Sequence, residues 1–262
     1  MNTLWQIVSY LIYRAKSITR FGVHSPFVYE LVEKVLRDKS RYDDYPKLHH
    51  VHKKYARRKD RIETIDFGSS AGHKEYIVRI SRVGKLVRKR SHQRSQLELL
   101  YRLARYFKPR TILEFGTAAG ISALYFGKGS PDSRIITMEG CMGLASVAQK
   151  NLKKRNIQAE VEIGEFSAIL DKVLERLERL DMVFLDGNHR KKPTLEYFEK
   201  CSAKANEESV FLLDDIHWSP GMESAWRAIK KDKRVSVTID LYWMGLVFFR
   251  KGIEKQNFII RY

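Results

Sequence analysis

The sequence has few of the residues that staple a small secreted or metal-bound fold. Of 262 residues only two are cysteines, Cys141 and Cys201. Two thiols cannot build a disulfide framework, and neither lies in a Cys-x-x-Cys or Cys/His cluster spaced for zinc. This usage fits a reducing compartment such as the cytoplasm. Long apolar runs are also missing. The stretch from Leu4 to Tyr13 is about half the roughly 20 residues a bilayer-crossing helix needs, and no basic n-region or small-residue cleavage site flanks it. The sequence therefore predicts neither a signal peptide nor a transmembrane span. Acidic residues are scarce at one end. Residues 1–110 hold 26 Lys and Arg against 10 Asp and Glu, a net +16, while residues 111–262 hold 23 against 21, a net +2. The basic surplus belongs to the front of the chain, where it suits solvated helical faces or a polyanionic partner such as RNA or an anionic membrane surface.

The hydrophobic content of 44% is enough for one enzyme-sized core and a smaller addition. From Leu4 to Lys16 and from Ser25 to Arg37, apolar residues recur every three or four positions, and Ser25-Pro26 has the chemistry of a helix start. Two amphipathic helices are expected. In the first, Trp5, Ile7, Val8, Leu11 and Ile12 lie nearly all round the helix. That favours docking on the main domain over lying on a membrane with Arg14, Lys16 and Arg20. Residues 47–94 are polar and basic, with KKYARRK at 53–59 and KLVRKRSHQR at 85–94, and no period governs the stretch around Gly68 to His73. Helices joined by mobile loops are expected there, with a boundary near Ser91. Residues 1–90 thus read as a basic, mostly helical N-terminal extension and residues 91–262 as the main domain.

Past Ser91 the pattern becomes regular: QLELLYRLARYF (helix), TILEFG (strand), ISALYFGKG (helix), RIITMEG (strand), GLASVAQKNLKKR (helix) and AEVEIGE (strand). It continues with SAILDKVLERLE (helix), DMVFLDG (strand), PTLEYFEKCSAK (helix), SVFLLDD (strand) and GMESAWRAIKKD (helix), then VSVTIDLYW and GLVFFRK as closing strands. Unbroken apolar runs such as MVFL and VFLL belong to strands covered on both faces. The last two strands are joined by a short connection at Met244-Gly245, too short for a parallel crossover, so they pair antiparallel. The expected fold is α/β, a Rossmann-like, doubly wound, mostly parallel seven-stranded sheet closed by an antiparallel hairpin.

Glu114-Phe-Gly116-Thr-Ala-Ala-Gly120-Ile-Ser122 follows a strand and opens a helix. Gly116 lets the backbone approach a ligand and Gly120 allows tight strand-to-helix packing. Glu139 ends the next strand about 20 residues on, where a carboxylate can accept from both hydroxyls of a ribose. Together these point to a cofactor containing adenosine. A pyrophosphate cofactor wants Gly-x-Gly-x-x-Gly, whereas here Ala118 fills the middle position and the acid Glu114 precedes the turn, which suits a cationic ligand. Asp186 ends the fourth strand and Asp214-Asp215 the fifth, so adjacent strands bring three carboxylates to one rim.

E-x-G-x-x-x-G-x-S, TMEG, DMVFLD and LLDD resemble the small-molecule O-methyltransferases of the class I S-adenosylmethionine-dependent fold, in particular catechol O-methyltransferase and its bacterial relatives. The resemblance covers roughly residues 91–250 and leaves the N-terminal region unmatched. It implies S-adenosylmethionine as cofactor, with Glu114 near the methionine amino group, Gly116 against the cofactor backbone and Ser122 by its carboxylate. Glu139, with Gly140 beside it, would hold the ribose, and the Gly164-Glu165-Phe166 segment would flank adenine. It also implies Mg²⁺ or another divalent cation on Asp186, Asp214 and the next residue. The family has asparagine there and this chain has Asp215. His189 stands three residues after Asp186, where catechol O-methyltransferase carries its lysine base, and imidazole suits proton transfer near neutral pH. His217 in DDIHWSPG is a second candidate as base, ligand or substrate contact, with Trp218 as an aromatic wall. The expected partner is a small-molecule hydroxyl acceptor.

Other functions compete with this reading. An RNA methyltransferase would use the basic front and its interleaved Tyr45, His49, His50, His52, Tyr55 and Arg57 for phosphates and stacking, although the sequence contains no recognised RNA-binding module. A non-catalytic adenosine-binding adaptor would not need Glu114, Glu139, Asp186 and His189 together. A nicotinamide-dependent oxidoreductase is disfavoured by the glycine spacing and the closing hairpin.

Overall fold

In a computed structural model of the chain, residues 3–66 and 77–262 are described. The stretch Gly68 to His73, expected to be loop, lies outside them. By internal packing the chain divides into a unit of residues 37–169 and a unit that joins residues 1–36 to 170–262.

The joined unit opens with α1 (Thr3–Lys16) and α2 (Pro26–Leu31). Ser25 caps α2 as its residue type predicts, its Oγ accepting from the Val28 N–H at 3.4 Å with Pro26 in the first turn. The helix expected to reach Arg37 continues as a wider π turn over Val32–Leu36, which brings Val32, Val35 and Leu36 inward together.

The unit resumes at residue 170 within α8 (Phe166–Glu175). It adds β6 (Leu180–Leu185), α9 (Lys191–Ser202) and β7 (Ala205–Asp214), with β6 and β7 parallel. After α10 (Pro220–Lys231), β8 (Val237–Asp240) and β9 (Met244–Phe248) pair antiparallel, and β9 is antiparallel to β7. The apolar runs in β6 and β7 are buried throughout, as covered strands require.

Two details of the closing hairpin differ from expectation. The connection is Leu241–Trp243, with Tyr242 in the left-handed region at φ 72, while Met244 and Gly245 already belong to β9. Gly245 is needed for packing, since a Cβ there would stand 2.7 Å from the Trp226 ring. An eighth strand also appears, β10 (Gln256–Ile259), parallel to β8, giving the order β10-β8-β9-β7-β6 in this unit.

In the other unit, α3 (Asp44–Ala56) precedes β1 (Arg61–Asp66) and β2 (Ile77–Arg82), an antiparallel pair where helices and loops are expected. Ile62 packs on Leu86, Cys141 and Leu144, which anchors a strand too short and too rich in charged residues to stand out by period alone. Then follow α4 (Val83–Arg90), α5 (Arg94–Phe107), β3 (Thr111–Phe115), α6 (Ile121–Gly129), β4 (Arg134–Glu139), α7 (Met142–Lys153) and β5 (Ala159–Ile163). β3, β4 and β5 are parallel neighbours in that order.

α3 also shows where the aromatic residues of the basic front go. Tyr45, Leu48 and Tyr55 are buried, Tyr45 packs edge-on against Tyr101 with ring centroids 5.2 Å apart, and His49 Nε2 lies 2.9 Å from Glu98 Oε1. Arg58 and Arg155 cover the Tyr55 ring at 5.1 and 5.6 Å. Rings used for packing in this way are not presented for stacking on bases, so the RNA reading loses its aromatic platform.

Candidate functional site

In the unit 37–169 the turn after β3 is tied to the end of β4. The Gly116 and Thr117 N–H groups both donate to the Met138 carbonyl, at 2.9 and 3.1 Å, and the Gly120 N–H closes the turn on the Thr117 carbonyl at 2.7 Å. Gly116 has φ 95 and Gly120 φ 72. A Cβ on Gly120 would press on Ala148 and Leu152 at 3.3 Å, so this glycine serves both the left-handed backbone and the close seating of α6 on α7. Ala118 takes φ 45 without being glycine, and Glu139 holds it there: Oε2 accepts from the Ala118 N–H at 2.8 Å and Oε1 from the Cys141 N–H at 2.9 Å. A carboxylate oxygen can accept more than one hydrogen bond, so the group that shapes the turn is of the chemical type that would accept from a pair of hydroxyls.

Glu114 is fully buried, and its Oε2 accepts from the Thr137 hydroxyl at 2.5 Å, next to the Thr117–Thr137 hydroxyl contact at 2.6 Å. Ser122 sits buried in the first turn of α6. Gly140 follows β4 and is half-buried. The Gly164 N–H donates to the Glu139 carbonyl at 3.0 Å. Glu165 is exposed while its carbonyl starts α8, and Phe166 is half-buried, edge-on to Phe115 with centroids 5.6 Å apart.

In the joined unit Asp186 follows β6 and Asp214 ends β7, and the parallel register Leu185↔Leu213 makes them neighbours. Asp215 turns back at φ 53, its N–H donating to the Trp243 carbonyl at 2.7 Å. His189 Nε2 lies 3.8 Å from Asp186 Oδ1 and 3.9 Å from Asp215 Oδ2. Ligand atoms of His189, Asp214 and Asp215 all fall within 4.8 Å of one another. The expected trio of aspartates is thus joined by an imidazole that stands between two of them, beyond hydrogen-bond length from either.

His217 is arranged differently. Its Nδ1 meets Glu223 and its Nε2 meets Asp240 Oδ2 at 2.9 Å, Tyr242 stacks on the ring at 5.3 Å, and the Trp226 indole donates to the same Asp240 oxygen at 3.3 Å. Burial lowers its pKa, but the hydrogen bonds and charges of Asp240 and Glu223 outweigh that and raise it to about 9. Carboxylates on both ring nitrogens favour the imidazolium, a form with no lone pair to offer a proton or a metal. Trp218 is half-buried, and its carbonyl faces the Gln6 amide at 3.5 Å. Glu223 and Asp240 are not singled out by the sequence; the one available signal is that Asp240, like Asp214, ends a strand.

Residues 113–216 match the family described as a methyltransferase domain. Over 126 residues the chain is 31% identical to a catechol O-methyltransferase of Niastella koreensis, which covers 47% of this chain and 56% of that protein. Over 127 residues it is 28% identical to a catechol O-methyltransferase of Mycobacterium tuberculosis, with 46% and 54% covered. The chain spans about half the length of the curated relatives it matches. The O-methyltransferase TomG of Streptomyces achromogenes, solved in complex with SAM, superposes with a TM-score of 0.56 at 20% identity over 85% of this chain and 95% of that one. An O-methyltransferase from Bacillus cereus, solved with SAH, gives 0.55 at 19% identity over 85% and 97%. The fold is that of the Rossmann-like class I methyltransferases. Within it, residues 113–216 match the methyltransferase-domain family, and about half of the chain is similar to catechol O-methyltransferases.

Proposed function

We propose that the chain transfers a methyl group from S-adenosylmethionine to a hydroxyl of a small molecule, with His189 accepting the hydroxyl proton. The observation that carries this reading is an imidazole between Asp186 and Asp215 at the carboxyl ends of adjacent parallel strands, inside the segment that matches the methyltransferase domain. Ligands of open α/β folds bind at that end of the strands. The bound sulfonium supplies an activated methyl, which the acceptor oxygen takes as the carbon–sulfur bond breaks and its electron pair stays on sulfur. His189 Nε2 takes the acceptor proton, and the flanking carboxylates stabilise the imidazolium that forms. Glu139 holds the ribose hydroxyls as a carboxylate acceptor at the end of β4, Gly116, Gly120, Ser122 and Gly140 line the cofactor backbone, and Glu165 and Phe166 flank the base. Glu114 serves the methionine end.

The donor set also fits a divalent cation such as Mg²⁺. Asp186, Asp214, Asp215 and His189 supply hard oxygens and one imidazole, and a bound ion would polarise the acceptor oxygen. Asp215, in place of the asparagine of the resembled family, adds negative charge that lowers the ion's net power to stabilise an alkoxide. Base and ligand are exclusive roles for Nε2, since a lone pair given to a metal cannot take a proton. Activity that survives a chelator keeps His189 as the base without an ion. Activity lost to EDTA and restored by Mg²⁺ shows that the ion is used, and His189 is then a ligand if His189→Ala weakens Mg²⁺ binding and the base if it does not.

The overall test supplies radiolabelled S-adenosylmethionine with a small-molecule extract in one arm and total RNA in the other. Label is expected in the small-molecule arm; label confined to RNA, or none in either arm, overturns the proposal.

A further inference from the structure

α1 docks on its own unit the wrong way round. Trp5, Gln6, Ser9 and Tyr13 lie on one side of the helix, and they make its attachments. The Trp5 indole donates to the His217 carbonyl at 3.1 Å, the Tyr242 hydroxyl donates to the Gln6 carbonyl at 2.7 Å, and the Tyr13 hydroxyl donates to the Ile260 carbonyl at 2.6 Å. The opposite arc carries the aliphatic residues, and they face out: Leu4 is 71% exposed, Ile7 53%, Val8 44%, Leu11 61% and Ile12 49%. A helix held on a globular surface ordinarily buries its apolar stripe and exposes its polar one. Here hydrogen bonds of the mixed edge fix the rotation, and a continuous aliphatic face is left for something else to cover.

Charge selects the occupant. Residues 1–29 contain no Asp or Glu, Arg14 and Lys16 follow the aliphatic face, and the whole chain carries +18; Arg20 beyond them is paired with Glu33 at 3.3 Å. Phe21, next to Arg20, is 80% exposed. Two copies of so basic a chain would bring like charges together around this face. An anionic lipid surface supplies both requirements, acyl chains for the aliphatic residues and headgroup charge for the basic ones. No helix among the described residues is long and apolar enough to cross a membrane, and α1, of 14 residues, is about 21 Å long, which suits an element lying in the interface. We infer that α1 is a membrane-surface helix that seats the protein on anionic bilayers through Leu4, Ile7, Val8, Leu11 and Ile12, with Arg14 and Lys16 at the headgroups.

The test is co-sedimentation of the full chain with vesicles of phosphatidylcholine alone or mixed with phosphatidylglycerol, at low and high salt. Binding is expected on the mixed vesicles and is expected to weaken with salt. Ile7→Glu/Leu11→Glu changes only exposed side chains; with an unchanged melting curve, it is expected to lower partitioning more than about ten-fold. Arg14→Gln/Lys16→Gln leaves the aliphatic face intact and loses about five-fold per charge, on the anionic vesicles only. No binding by the wild type, or binding indifferent to both variants, overturns the inference. So does a wild-type dimer in sedimentation velocity that the Glu pair converts to monomer without vesicle binding, which would assign the face to a second copy.

Discussion

His189 and His217 both stand a few residues past a strand-ending aspartate, and their surroundings separate them. His217 is clamped by Glu223 and Asp240 on its two nitrogens, whereas His189 lies nearly 4 Å from each of its acids, beyond hydrogen-bond length. His217→Ala is therefore expected to leave two carboxylates without their cation and to cost about 2 kcal/mol, somewhat less than for a fully buried pair, read as a lower urea midpoint. His189→Ala removes no such clamp. Its urea midpoint is expected to stay near wild type and S-adenosylhomocysteine affinity is expected to hold, while turnover falls about 100-fold. Unchanged turnover would take His189 out of the mechanism. The sequence could nominate both histidines because each is an imidazole near a strand end. It could not rank them, because the partners that occupy His217 come from α10 and β8, 6 and 23 residues away.

At the scale of elements, the strands and helices that alternate regularly were legible and the irregular ones were not. β3, β4, β6 and β7 combine apolar runs with flanking helices, and the turn after β3 carries its glycines where the backbone needs them. Gly120→Ala is expected to test that need. With φ 72 and a Cβ forced to 3.3 Å from Ala148 and Leu152, it should cost about 1 to 3 kcal/mol in thermal or urea unfolding. β1 and β2 escape sequence reading because a six-residue alternation among Arg and Glu carries little signal, and β10 because an edge strand needs only one covered face. α3 lies largely in the polar, basic stretch where helices joined by loops are expected, yet its inward side is Tyr45, His49, His52 and Tyr55. Burial lowers the pKa of His52, and the charge of His49 lowers it further; burial and Arg94 lower that of His49 against the pull of Glu98. A folded pKa below the unfolded value means that both states are neutral above pH ~6.5 and that the unfolded state takes up protons first below it. Stability from this helix is thus expected to be complete above that pH and to fall as pH drops through it. Hydrogen exchange of the α3 amides at pH 7.5 and 5.5 reads the effect, and equal protection at both would show that neither histidine is linked to folding.

For the molecule as a whole, the fold class was legible because alternation from residue 94 to the end dominates everything else, while the packing of residues 1–90 was not, because basic composition describes a surface and says little about which rings turn inward. The turn at Gly116 and Gly120 and the strand end at Glu139 were equally legible, since all three are set by one β-turn-α-β frame. What composition could not convey is that Glu139 already accepts from Ala118 and Cys141, so this residue joins the shape of the turn to whatever ligand lies against it. A ligand gripped there is expected to raise the stability of the full chain. S-adenosylhomocysteine at about a hundred-fold over its Kd should add about 2.7 kcal/mol and move the thermal midpoint upward, whereas NAD, which this glycine spacing does not suit, should leave it in place. Glu139→Ala should lower the starting stability, because two N–H groups lose their acceptor, and should also shrink the ligand-induced shift. Glu139→Gln keeps one carbonyl oxygen but turns the other acceptor into a donor facing an N–H, so it is expected to recover little of either. A midpoint that rises with NAD and not with S-adenosylhomocysteine would reverse the assignment of the cofactor.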